Sequence, residues 1–380
     1  MTNEICTSAE RVARVAVSLR KHFVAHPGYD TTLRLFHGLM DKRRAELDLG
    51  LTSEGRGIAV IGESGSGKTT AAQRILRRMD LSGTEPGELR WISIRVPTPA
   101  TQKDLARAIL QALDFPILRD TTASRMWEMV HHHLQLRKCW LIHLDEGQEL
   151  GGRGSETEKA AVINALKSLM QIPDWPVNLI VSGTLELNDL LMQDPQLSRR
   201  FFVVRFLPVT EFDACDEVRG LVAGYAGLAD IPLTPDLSDV EFIPRLIHAG
   251  REQFGVVVEL IIGAITRALG DGKAAVGLKD FARFYAERSG DVSARNPFLV
   301  PDFRSIPTGR AALDPEPPTP SKGRGKKLHA LMTFGTQLHQ NSAADVVVIR
   351  HPVASNWAPR AAPIDCRNWR PGGAVTHLVA

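Results

Sequence analysis

The sequence predicts an α/β fold, a parallel five-stranded core sheet covered by helices and followed by a helical lid domain. Three observations carry that expectation. Five short apolar runs of β character, GIAVI (57 to 61), LRWISIRV (89 to 96), CWLIHL (139 to 144), VNLIVS (177 to 182) and FFVVRF (201 to 206), alternate with helical patterns. A glycine-rich octet, Gly62 to Thr69, joins the first run to a helix carrying Ala72, Ile75, Leu76 and Met79. Beyond Pro208 the strand signals fade, and helical patterns dominate to about Gly290, notably 254 to 269 and 278 to 287.

Ahead of the sheet, residues 9 to 45 hold two helical patterns, the second with Leu35, Phe36, Leu39 and Met40 at helical spacing behind a cap at Asp30 or Thr31. Between the third and fourth runs, Ser155 and Glu158 form a capping-box pattern, and Val162, Ala165, Leu166, Leu169 and Met170 give one apolar face. The chain therefore divides into an N-terminal helical segment (1 to 50), an α/β core (51 to 208), a helical lid (209 to 290), a short tail segment (291 to 310) and a terminal stretch (311 to 380). That stretch opens on DPEPPTP and SKGRGKK, a composition that cannot readily pack a core, and is expected to be disordered.

Bulk properties exclude several classes. The 380 residues are 43% hydrophobic, enough for an ordinary buried core. The longest apolar stretches, such as 255 to 265, are broken by Glu259 or Gly263 and fall short of the roughly 20 residues a membrane-spanning helix needs. The N-terminus does not resemble a signal peptide, so no membrane association is expected and the cytoplasm is the expected location. Four cysteines, Cys6, Cys139, Cys215 and Cys366, lie far apart without metal-like spacing, as in a reduced intracellular protein. A net charge of +3 leaves the partner open.

The octet Gly62-Glu63-Ser64-Gly65-Ser66-Gly67-Lys68-Thr69 matches GxxxxGK[ST], the phosphate-binding P-loop, in the strand-to-helix context that motif requires. Glycines let backbone N–H groups close around the phosphates of ATP, with Thr70 completing the first turn. The helix N-terminus adds positive potential, Lys68 reaches the β- and γ-phosphates, and Thr69 ligates Mg²⁺. LIHLDE (141 to 146) sets two acids at the end of a strand: Asp145 to hold the water shell of Mg²⁺ and Glu146 to orient the attacking water. An additional strand, 89 to 96, separates the P-loop strand from the acidic strand, which is the arrangement of P-loop proteins that hydrolyse ATP with a strand-end glutamate. Strand four ends in Ser182-Gly183-Thr184, where Thr184 either senses the γ-phosphate or caps the next helix. Arg199 and Arg200 precede strand five, with Arg200 ahead as a finger reaching a neighbour's nucleotide and a surface salt bridge as the alternative. His131-His132-His133 point in three directions on a helix and do not form a metal site.

The order of these parts resembles the TniB/TnsC family of AAA+ transposition proteins, relatives of MuB and Orc/Cdc6-type ATPases. The residues that carry the resemblance are HPGYDTTL, GESGSGKTT, LIHLDEGQEL, IVSGTLEL, DPQLSRRF, HAGREQFGVVVELI and ARNPFLVPDF, over about residues 9 to 305. The resemblance implies an AAA+ P-loop NTPase that hydrolyses ATP, self-associates into a ring or filament on target DNA, and recruits or activates a DDE-type transposase. Lys68, Thr69, Asp145, Glu146 and Arg200 match the family's functional positions. The lid arginine that senses nucleotide is either Arg251 or absent, because Gln253 occupies the expected register. In filament-forming relatives DNA is held by helices after strand two. Thr101, Lys103, Thr121 and Thr122 stand at the corresponding helix starts, for sequence-independent phosphate contacts or as ordinary caps. Lys322, Arg324, Lys326 and Lys327 could also touch DNA or merely solubilise a linker. Two rival readings stay open, a helicase-loader-like ATPase and a nucleotide-gated protein scaffold without DNA binding.

Overall fold

The computed structural model describes residues 8–78, 88–117, 119, 121–152, 155–290 and 295–307. The expected terminal stretch from 311, its basic cluster and Met79 lie outside the described residues. Within them, β1 (Gly57–Ile61), β2 (Trp91–Arg95), β3 (Leu141–Asp145), β4 (Asn178–Gly183) and β5 (Phe201–Arg205) form one five-stranded sheet. All its pairings are parallel, in the order β2-β3-β4-β1-β5. The strand 89 to 96 separates β1 from β3 along the chain but not in space. It forms an edge, and β4 inserts between β1 and β3. Parallel strands joined by helical crossovers need not lie in chain order, and strand composition does not encode that choice.

Helices cover both faces, which is why β1 and β4 are buried at every position. On one face α4 (Gln102–Ala112), α5 (Ala123–Leu136), α6 (Glu156–Met170) and α7 (Leu185–Gln193) pack over Ile92, Ile94, Ile142, Leu144, Leu179 and Val181. The expected capping box opens α6, with Ser155 accepting from the Glu158 N–H and Glu158 accepting from the Ser155 N–H. On the other face α2 (Pro27–Leu49) and α3 (Lys68–Arg78) press Tyr29, Phe36, Leu39, Ile75 and Leu76 onto Ile58, Val60 and Ile180.

The cap of α2 differs from expectation. His26, not Asp30 or Thr31, is the N-cap: its Nδ1 accepts from the Gly28 N–H at 2.9 Å. Pro27 follows at the first helical position, where its fixed φ suits the turn and its missing N–H costs nothing. The same imidazole bonds the Leu207 carbonyl at 3.1 Å and stacks on Phe206 at 4.4 Å, and burial lowers its pKa. The capping ring is itself held by residues about 180 positions away, which no local pattern announces.

After the short α8 (Pro195–Ser198) and β5 come α9 (Cys215–Leu228), α10 (Phe242–Ala249), α11 (Phe254–Gly270) and α12 (Leu278–Ser289). They share a core of Val218, Val222, Phe242, Leu246, Leu260, Ile261 and Phe281. Helix α1 (Ser8–Lys21) packs on α11 and buries Leu19 in that core. The N-terminal segment is thus split, α1 to the lid and α2 to the sheet, because two amphipathic helices alone cannot bury their own apolar stripes. The NPF stretch is also part of the lid. Asn296, 1% exposed, donates to the Ala282 carbonyl at 2.7 Å and accepts from the Phe298 N–H at 3.1 Å, while Phe298 enters the lid core. Among the described residues no single helix is long and apolar enough to cross a membrane.

Phe36, 1% exposed, is the side chain through which α2 grips the sheet. Phe36→Ala is expected to remove about 3–5 kcal/mol of stability in urea unfolding. A smaller loss than about 1 kcal/mol would mark α2 as peripheral to the core.

Candidate nucleotide site

The first strand ends where the backbone turns into the glycine-rich loop, and the loop's shape is set by Gly65 (φ +86°) and Gly67 (φ +93°), conformations that side chains with a Cβ rarely adopt. Gly62 is needed for space: a Cβ there would lie 2.8 Å from the Phe206 carbonyl oxygen and 2.9 Å from Ser66 Oγ. Helix α3 begins at Lys68, so the N–H groups of Lys68, Thr69 and Thr70 belong to a first turn without intrahelical acceptors. The Lys68 ammonium sits inside the loop and donates to Gly62 O and Glu63 O, each at 2.7 Å, and to buried Ser66 Oγ at 3.2 Å. Burial lowers its pKa, opposed by the charges of Glu146, Asp145 and Glu63.

The acidic pair closes the site from β3. Thr69 Oγ1 donates to the Asp145 carboxylate, 3.0 and 3.1 Å from its two oxygens. Ser182 Oγ, at the end of β4, donates to the same group at 2.6 Å. Glu146 stands in the left-handed region (φ +57°). Gln148 holds it there: its Nε2 donates to Glu146 at 2.6 Å and its Oε1 accepts from the Thr184 N–H at 3.2 Å. Arg95 at the end of β2 lies 3.8 Å from the same carboxylate. Thr184 sits at the N-cap of α7, with its hydroxyl turned to the Glu186 carboxylate.

A cavity of about 650 Å³ opens above the loop, lined by Ser64, Gly65, Lys68, Thr69 and Thr70 below and Asp145, Glu146 and Thr184 at one side. A further part of its wall carries Phe23, His26 and Tyr225. Motif spacing could not find that wall, because it joins the α1–α2 connection to the lid. Arg251 (φ +57°) is exposed and faces the cavity from the lid, whereas Gln253 is buried and donates to the Arg251 carbonyl at 3.2 Å. The lid also touches the loop apex. The Gly255 N–H donates to Gly65 O at 2.9 Å, and a Cβ on Gly255 would stand 2.5 Å from that oxygen.

The residue set suits Mg²⁺. One hydroxyl and one carboxylate meet beside a phosphate cradle, and Mg²⁺ is held by one or two protein oxygens together with substrate phosphates and water. Among the described residues no group of three or more His, Cys, Asp and Glu could form an all-protein metal cage.

One expectation is corrected by position. Arg200 does not present its side chain outward. It is 1% exposed, its Nε and Nη2 donate to Glu54 at 3.1 and 2.8 Å, and its Nη1 donates to Gln196 O at 3.1 Å. Withdrawing it would break a bidentate pair at a buried guanidinium. Arg199 beside it is exposed. Threonines cap the starts of α4 and α5 in the same way. Thr101 caps α4 through the Asp104 N–H at 3.1 Å, and Thr122 rather than Thr121 caps α5 through the Arg125 N–H at 3.3 Å. Lys103 lies half-buried in the first turn of α4. In the histidine run, His131 bonds Ser168 at 3.1 Å and His133 stacks on Phe115 at 4.0 Å.

A five-stranded parallel sheet of this order, a P-loop at its β1 end, an acidic pair at the end of β3 and a helical lid against the loop define an AAA+ P-loop ATPase fold. Solved structures agree on the fold. The Aeropyrum pernix Orc1 protein in complex with DNA superposes with a TM-score of 0.54 at 19% identity, covering 74% of this chain and 69% of that one. Cdc6p from Pyrobaculum aerophilum gives 0.51 at 15%, covering 72% and 70%. The Aeropyrum pernix ORC2 protein in ADPNP–ADP complexes gives 0.51 at 13%, covering 71% and 71%. The model of the bacterial TniB protein family matches residues 14–210, more than half of the 380, and the chain belongs to that family. No curated protein matches the sequence.

The Gly255–Gly65 contact has a measurable consequence. Gly255→Ala must push α11 away from the loop apex, and is expected to weaken binding of a fluorescent ATP analogue by about tenfold, or about 1.4 kcal/mol. Wild-type affinity in that variant would show that the loop tolerates the lid's displacement.

Proposed function

We propose that the protein is an ATP-binding and ATP-hydrolysing regulator of DNA transposition, which assembles on target DNA and recruits or activates a DDE-type transposase. The observation that carries the ATPase part is the meeting of Thr69 with Asp145 at 3.0 Å beside the P-loop, with Glu146 next in sequence. Family membership supports the transposition part. An Orc1 protein of the same fold has been solved with DNA, which supports a DNA partner for this chain.

In this reading Lys68 and the first turn of α3 hold the β- and γ-phosphates, and Arg251 approaches them from the lid. Thr69 and Asp145 would hold Mg²⁺, which neutralises charge developing on the phosphates. Glu146 orients the attacking water, and Gln148 fixes the Glu146 carboxylate relative to Thr184. Thr184 takes part through its backbone position at the end of β4, since its hydroxyl is engaged by Glu186. The guanidinium offered to a neighbouring protomer is that of Arg199, exposed at the edge where Arg200 is occupied. ATP then acts as the switch for assembly of a ring or filament. Thr101, Lys103 and Thr121, at the starts of α4 and α5, contribute sequence-independent contacts to DNA phosphates.

Binding and turnover should separate. Lys68→Ala is expected to abolish detectable ATP binding, whereas Glu146→Gln keeps binding and slows hydrolysis by about 10²-fold or more. Hydrolysis at the normal rate in Glu146→Gln would remove the water-orienting role.

The composite site can be tested by mixing. Arg199→Ala is expected to bind ATP but hydrolyse it poorly. Mixing it with Lys68→Ala protein should restore activity, because the Lys68→Ala protomer supplies an arginine to an intact P-loop. Size-exclusion chromatography with ATP and DNA should show assembly that weakens as salt rises. A monomer under low-salt conditions with both ligands would end the regulator reading.

A further inference from the structure

On the α3 side of the sheet three polar side chains, one from each of three adjacent strands, lie in a row that leads to Asp145. Ser93 on β2 and His143 on β3 are register partners, and Ser182 on β4 lies two residues past His143's own partner, Ile180. His143 Nδ1 is 2.8 Å from Ser93 Oγ, His143 Nε2 is 3.0 Å from Ser182 Oγ, and Ser182 Oγ is 2.6 Å from Asp145 Oδ1. His143 and Ser182 are fully buried and Ser93 is nearly so.

The protons in this row run one way. An ionised carboxylate only accepts, so the single hydroxyl hydrogen of Ser182 is committed to Asp145. Ser182 Oγ must then accept from His143, which places the ring hydrogen on Nε2. The neutral ring's Nδ1 is left to accept from Ser93. The arrangement is Ser93 O–H to Nδ1, Nε2–H to Ser182 Oγ, and Ser182 O–H to Asp145 Oδ1.

Packing does not call for these groups. Neighbouring positions on the same side of the sheet are Leu141, Ile180, Ile58 and Val60, and apolar residues would fill the row without removing three polar groups from water. What the row does is hold one oxygen of Asp145 from the interior while Thr69 engages the group from α3. We infer that His143 is a positioning residue: with Ser93 behind it and Ser182 ahead of it, it fixes the orientation of the Asp145 carboxylate for Mg²⁺. The inference rests on the reading of Thr69 and Asp145 as the Mg²⁺ pair. It assigns no role to titration of the ring. Outer partners of this kind set the orientation and donor strength of the group that meets the metal.

The test is affinity for a fluorescent ATP analogue with EDTA and across a Mg²⁺ titration, on the full chain, with thermal unfolding as a control. His143→Gln places an amide N–H where Nε2–H stood and should keep the gain in affinity that Mg²⁺ gives. His143→Asn keeps an amide near Ser93 but cannot reach Ser182. It should lose about tenfold or more of that gain with metal-free affinity unchanged. Ser182→Ala should lose the same gain, and the Ser182→Ala/His143→Asn double variant should lose no more than Ser182→Ala alone, since one row is cut in either case. Retention of the full Mg²⁺ gain in His143→Asn, or additive losses in the double variant, would overturn the inference. A wild-type protein that binds the analogue without any gain from Mg²⁺ would instead overturn the metal reading of Thr69 and Asp145, and the relay's purpose with it.

Discussion

The Asp145 carboxylate is the point on which the rest of the site depends. It stands at the end of β3, accepts from Thr69 on α3 and accepts from Ser182 on β4. A carboxylate has lone pairs enough for both donors and for water, and ionised acceptors form the stronger hydrogen bonds. Those contacts tie the P-loop helix to the acidic strand across an intervening strand. The sheet order makes that possible: β4 lies between β1 and β3, so the loop after β1 opens above Ser182 and Asp145. Were β3 paired directly with β1, no strand would stand between them to supply Ser182.

A second constraint is the approach of the lid. Gly255 brings the start of α11 within hydrogen-bonding distance of the loop apex, and Gly65 leaves room for Val256, whose Cγ2 would be 2.7 Å from a Cβ there. Two glycines from separate cores therefore meet at the place where phosphates are expected. The connection between α1 and α2 supplies a further part of the cavity wall. From this connection His22, Phe23, Val24 and His26 line the cavity, and the two ring nitrogens of His26 are bonded to the Gly28 N–H and the Leu207 carbonyl.

At the β5 edge the two arginines have opposite fates. Arg200 is drawn inward by Glu54, whose own pKa is lowered by hydrogen bonds from Gln171 and Arg200. Pairing a guanidinium with a carboxylate at the base of the sheet fixes the chain between α8 and β5, and so fixes where Arg199 emerges. The buried arginine gives the edge its shape, and its neighbour Arg199 lies exposed at the surface.

The sequence by itself determined what rests on local spacing. The octet Gly62 to Thr69, the LIHLDE strand end, the capping box at Ser155 and the β/α alternation could all be read along the chain, because each is set by backbone geometry over a few residues. Tertiary structure decided what depends on residues brought together from afar. The order of strands, the bond from His26 to Leu207, the burial of Arg200 against Glu54 and the row Ser93-His143-Ser182 all join positions dozens to well over a hundred residues apart. His143 is the clearest instance. In the sequence it is one polar letter in an apolar strand, and only parallel pairing with β2 and β4 gives it two partners and a direction.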